Sequence, residues 1–128
     1  MVGTQYSRKF YYQTPVNVFN GTGPTTLTSQ SISAAVPVAA KTCDVIVADT
    51  GSTNTSLVWG VAGDSTGTGL RVAIVGNTVL TSTIAVGPFS FSWGASFTDV
   101  PIITSQVIYL QETQARVNDD AYISAFTF

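Results

Sequence analysis

Threonine, valine and isoleucine supply 19, 16 and 8 residues, about a third of this 128-residue chain. Side chains branched at Cβ are stiff at χ1 and sit better on a pleated sheet than in a helix. Serine and glycine add 13 and 11 more, charged residues are only 9%, and there is no histidine. The chain is therefore expected to be all-β, with a surface that is polar but little charged. Such a composition points to a structural or binding role more than to catalysis.

Turn chemistry divides the sequence into short runs. Strands are expected at 16–20, 25–33, 43–48, 55–62, 70–75, 78–85, 89–93, 102–111 and 121–128. Gly76-Asn77 is a two-residue hairpin signal between two of them. The segments 49–54, 63–69 and 118–120 read as turns or loops, rich in Gly, Asp, Asn and Ser. Helical periodicity is weak. The Ala-rich stretch 31–40 is broken by Pro37, and 112–115 has room for one turn. Eight or nine short strands in a chain long enough for one core predict an antiparallel β-sandwich of jelly-roll type, residues 15–128. Alternation places Leu57, Trp59 and Val61 on one face, and Tyr122, Ser124, Phe126 and Phe128 on another.

Residues 1–14 have a different character. They hold Tyr6, Phe10, Tyr11 and Tyr12 around the basic pair Arg8-Lys9. This segment is expected to be an extended N-terminal arm. Tyr6, Arg8, Lys9, Phe10, Tyr11 and Tyr12 are its partner-binding residues, because large aromatics and arginine are favoured interface anchors. The runs Val45-Ile46-Val47 and Val107-Ile108-Tyr109-Leu110 are apolar on both faces. One face belongs to the core, and the other is expected to meet a second copy, so a homo-oligomer is expected.

Charge and motifs narrow the function. The net charge is −2, and Arg8, Lys9, Lys41, Arg71 and Arg116 are scattered, so a nucleic-acid partner is not expected. No apolar run approaches the roughly 18 residues of a membrane helix, and a membrane partner is not expected either. The start, Met1-Val2-Gly3-Thr4, has no apolar signal region, and Cys43 stands alone. Both fit assembly in a reducing cytoplasm.

Asp49-Thr50-Gly51-Ser52 after Val45–Ala48 resembles the catalytic turn of aspartic proteases, where Asp49 would share a proton with a second carboxylate. The spacing of 27 positions to Gly76 leaves little room for that fold, and 77–80 reads as strand where the family has a helix. Gly63-Asp64-Ser65-Thr66-Gly67 is similar to the nucleophile segment of trypsin-like proteases, which requires a histidine base. Gly67-Thr68-Gly69 is not followed by the Lys-Ser/Thr of a phosphate loop. Asn118-Asp119-Asp120 offers oxygens to calcium without the spacing of an EF-hand, and zinc lacks a Cys/His cluster. Trp59 and Trp93 are candidate sugar platforms, with a core role favoured. The sequons Asn20-Gly21-Thr22 and Asn54-Thr55-Ser56 require secretion to matter. No catalytic residue, metal or cofactor is assigned.

The segment Ser33-Ala34-Ala35-Val36-Pro37-Val38-Ala39-Ala40-Lys41-Thr42-Cys43-Asp44-Val45-Ile46-Val47 joins a Val-Pro element and a small-residue stretch to an apolar strand. With the Gly/Thr/Ser loops and the aromatic closing strand, it resembles the small β-sandwich structural proteins of tailed bacteriophages. These are capsid decoration (cement) proteins and the tips of head or tail fibres. The resemblance implies a virion protein, commonly a homotrimer, whose partner is the major capsid (coat) protein. A fibre tip or carbohydrate-binding module is the alternative. No stalk, collagen-like repeat or coiled-coil heptad is present. This favours a decoration protein over a fibre tip.

Overall fold

A computed structural model describes residues 8–49, 57–75, 93–115 and 119–128. Among these residues there is no helix. There are eight strands: β1 (Lys9–Gly21), β2 (Thr28–Ser31), β3 (Thr42–Asp49), β4 (Leu57–Ala62), β5 (Arg71–Val75), β6 (Trp93–Pro101), β7 (Val107–Glu112) and β8 (Asp119–Thr127). They form two four-stranded antiparallel sheets, ordered β1-β8-β3-β6 and β2-β7-β4-β5. The all-β sandwich expected from composition is the fold.

The pairing is nested. β1 pairs with β8, β2 with β7, β3 with β6 and β4 with β5. The β3–β8 and β4–β7 pairs then tie the layers of this long hairpin into its two sheets. The core lies between the sheets. Val45 and Val47 of β3, Ala121 and Ile123 of β8, and Val100 of β6 face Trp59 and Val61 of β4 and Ile108 and Leu110 of β7. All are essentially inaccessible to water. Each strand contributes alternate residues, because successive side chains leave a pleated strand on opposite faces. Burying one such side chain stabilises the fold by roughly 1.5–3 kcal/mol.

Several expectations change in detail. β1 begins at Lys9, seven residues before the expected strand, and Lys9, Phe10 and Tyr11 pair with Thr127, Phe126 and Ala125. Residues 9–14 thus belong to strand β1, with Lys9–Tyr11 paired to β8. Their aromatic side chains have an apolar strand end to cover, which a free arm would leave in water. Residues 1–7, including Tyr6, lie outside the described residues. Residues 102–106 form a turn instead of the start of a strand, with Gln106 at φ 58 and Val107 N–H donating to the Thr104 carbonyl. Asp119 and Asp120, expected in a turn, open β8 and are buried. Asp49 likewise ends β3. The Gly76-Asn77 hairpin, the strand at 78–85, residues 89–92 and Thr50–Ser52 lie outside the described residues.

The last strand also departs from simple alternation. Val45 pairs with Ile123, but the preceding Asp44 pairs with Ala125, so β8 carries one extra residue. Such a bulge reverses which face later residues occupy. Phe126 therefore joins the core, while Tyr122, expected on the same face, stands beside Ile46 and Asn17 on the other.

Candidate docking surface

The two ends of the sandwich differ. At one end β1 and β3 start and β6 and β8 finish, and the loops 32–41, 63–70 and 102–106 gather there. Short hydrogen bonds knit them: Lys41 N–H donates to Thr127 O (2.7 Å), Ile102 N–H to Lys41 O (2.8 Å), and the Ser105 hydroxyl to Val38 O (3.0 Å). We call this the terminal end. At the opposite end β3 finishes on Asp49, β7 on Glu112, and β8 begins with Asp119-Asp120.

The terminal end is aromatic. Phe10 stacks on Phe126 with ring centroids 5.1 Å apart, and Phe128 meets Phe126 edge-on at 5.5 Å. Tyr12 packs against the core, and its hydroxyl donates to the Ala35 carbonyl. Eight large apolar side chains are markedly exposed among the described residues, and six stand at or beside this end. They are Phe10 (51%), Tyr11 (67%), Val38 (70%), Leu70 (47%), Ile103 (58%) and Phe128 (56%). Val72 and Ile74, on the outer face of the edge strand β5, are the other two.

Of the five candidate contact residues that are described, the structure leaves three available. Arg8, Phe10 and Tyr11 are exposed. Lys9 is spent on the protein itself. Its Nζ lies 2.7 Å from Asp44 Oδ2 and 3.4 Å from Asp99 Oδ1, with the Tyr11 ring 5.5 Å away. The hydrogen bond to Asp44 holds the Lys9 ammonium above its ordinary pKa, against the opposing effect of burial. Asp44 is fixed in turn by the N–H of Asp99 at 3.0 Å, a bond made possible by a left-handed backbone at Asp99 (φ 53). Aspartate tolerates that conformation better than most residues. Tyr12 is committed to the core.

Sequence reasoning missed Val38, Ile103 and Phe128 as surface groups. They lie in two loops and at the last residue, far from the aromatic N-terminal run, and only the pairing of β1 with β8 and the loop hydrogen bonds gather them.

Among the described residues, the opposite end is acidic and its carboxylates are buried. Asp49 and Asp119 are direct partners across β3 and β8. Asp49, Asp119 and Glu112 are fully buried, and Asp120 nearly so. Gly23 packs over Glu112 so closely that a Cβ there would overlap the carboxylate. Among the described residues, no group of three His, Cys, Asp or Glu side chains is arranged to hold a metal ion. Trp59, a candidate sugar platform, is buried completely. Burial, reinforced by the Asp44 charge, pushes the Cys43 thiol up to about 12, so it stays protonated at neutral pH.

The Gly63–Gly69 segment is a self-tied loop. Asp64 Oδ1 accepts from Thr66 N–H (3.1 Å) and Thr68 N–H (2.9 Å), and both threonine hydroxyls donate to the same carboxylate. The Thr68 hydroxyl leads in lowering the Asp64 pKa to about 2. A depressed carboxylate contributes stability above its unfolded pKa of about 3.9 and loses it as pH falls through the folded value. The Thr66 and Thr68 amides should therefore exchange faster with solvent as pH falls from 4 toward 2, after correction for intrinsic rates. Asp64→Asn should show the fast exchange already at pH 6. Amide exchange by NMR that is flat over this range would refute the assignment.

Comparison with protein-family models, with curated protein sequences and with solved structures finds no match.

Proposed function

We propose that this chain is a non-enzymatic structural protein of a virus particle, a jelly roll that decorates the shell by binding across coat subunits. The observation that carries the reading is the nested pairing of eight strands, β1 with β8 through β4 with β5. Two four-stranded sheets paired this way support a jelly-roll reading, an architecture used by viral capsid proteins, lectins and cupins. A cupin site built on histidines has none to draw on here. A lectin reading finds Trp59 inside the core. The low charge and the apolar terminal end support a protein that works by covering another surface.

The mechanism is mechanical. Apolar area buried across a joint stabilises it by roughly 25 cal/mol per Å² gross, before the cost of association. A protein that binds the closed joint alone shifts the opening equilibrium by mass action. At a free concentration 100 times Kd this amounts to about 2.7 kcal/mol per joint. No bond is made or broken.

The test is particle stability. Particles made without this chain should release their genome to an external dye at lower temperature than complete particles. Adding the purified chain back should restore the original temperature. An unchanged release temperature, or failure to find the chain in purified particles, would end the reading.

A further inference from the structure

We infer that the terminal end docks on a protein surface that is apolar at its centre and acidic at its rim. The inference rests on the shell-binding reading and names the chemistry of the partner.

Phe10, Val38, Ile103 and Phe128 are each more than half exposed around one hydrogen-bonded junction of strands and loops. Charge then selects the partner. The chain is acidic overall, yet every basic residue among those described stands at this end: Arg8, Lys9, Lys41 and Arg71. Two of them are engaged, Lys9 by Asp44 and Asp99, and Arg71 by the carbonyls of Gly69 and Asp99. Arg8 and Lys41 are exposed and have no ion-pair partner among the described residues. The acids nearby are already used. Asp44 and Asp99 hold Lys9, and Asp64 is tied into its own loop. Two uncommitted cations beside an aromatic patch call for carboxylates on the other side. Aromatic residues with arginine are also the side chains that dominate binding energy at protein interfaces.

Other occupants fit less well. A second copy meeting this end about a two-fold axis would bring four free cations, Arg8 and Lys41 of each copy, into one interface whose nearby acids Asp44, Asp99 and Asp64 are already engaged. A copy meeting it head to tail would present the opposite end, whose carboxylates Asp49, Glu112 and Asp119 are buried. An anionic membrane would gain only about 1 kcal/mol from each free cation. Stable membrane attachment requires more than that.

The test uses particle shells stripped of this chain, mixed vesicles of phosphatidylcholine and phosphatidylserine, and the purified chain alone in sedimentation velocity. The wild-type chain should rebind the shells, more weakly as salt rises, and should not sediment with the vesicles. Lys41→Glu and Phe128→Ala alter exposed side chains and should each weaken shell binding roughly tenfold. Circular dichroism should show both variants folded. Variants that bind like wild type overturn the surface while leaving shell binding intact. A wild-type chain that fails to bind shells overturns the shell reading and this surface with it. Vesicle binding lost in the variants assigns the end to a membrane. Self-association lost in the variants assigns it to a second copy. Either result overturns the inference.

Discussion

Trp59→Ala should lower the unfolding free energy by about 3–5 kcal/mol, the usual cost of emptying a large aromatic site in a core. Trp59 is the largest fully buried side chain among the described residues. It sits on β4 between Ala73 of β5 and Glu112 of β7, and Phe19 of β1 meets its ring edge-on at 6.4 Å. It therefore joins the two sheets, and its removal opens a void that neither can close alone. Domains of this size are stable by only about 5–15 kcal/mol, so the variant should be partly unfolded or poorly soluble at 37 °C. Trp59→Phe is the control. The indole N–H makes no hydrogen bond among the described residues. Phenylalanine thus loses volume but no polar partner, and should cost under about 1.5 kcal/mol. Urea unfolding followed by circular dichroism separates the two. Equal losses in both variants would mean that the indole, not the ring volume, holds the sheets together.

The fold class was legible because its cause is local. Branched side chains and Gly, Asn and Asp turns act within a few residues of themselves, and the buried pairs Val45/Val47 and Ile108/Leu110 carry the two-residue period intact. β6 was not legible: no strand is expected between 93 and 102, a stretch that holds Gly94 and Asp99, yet both residues serve the sheet. A Cβ at residue 94 would come within 2.9 Å of the Val47 carbonyl oxygen, so glycine permits the close approach of β3. Asp99 turns left-handed to bond Asp44. Asp119 and Asp120 were misread because aspartate is a turn former by habit, and its burial here follows from tertiary placement. The bulge in β8 is likewise invisible locally, since Ser124 matches the alternation and only its partner strands show it to be the extra residue. The docking surface was half legible. The aromatic run drew attention to Phe10 and Tyr11. Val38, Ile103 and Phe128 come from distant parts of the chain, and no local pattern gathers them.

Deleting residues 2–13 tests the largest of these differences. The segment read as an arm would leave a folded domain when removed. In the structure it carries the first half of β1, so its loss should destabilise the fold. The β1–β8 pairs at Lys9, Phe10 and Tyr11 disappear, and the end of β8 becomes an edge. The Phe10–Phe126 stack is lost, worth about 0.5–1.5 kcal/mol beyond burial. Tyr12 no longer covers the core or bonds Ala35, and Phe126 is opened to water, at roughly 1.5–3 kcal/mol for a fully buried side chain. Losing Lys9 also leaves the buried Asp44 carboxylate without its ion-pair partner at 2.7 Å. Together these amount to several kcal/mol, or a fall in melting midpoint of roughly 10–20 °C for a domain of this length. Tyr12→Phe in the full chain isolates one part. It removes only the hydroxyl that bonds Ala35 and should cost about 1 kcal/mol. Thermal unfolding by circular dichroism measures all three proteins. A truncated chain that melts within two or three degrees of the full-length protein would restore the detachable arm. One that melts far lower makes β1 part of the core, and confines any projecting segment to the residues before Arg8.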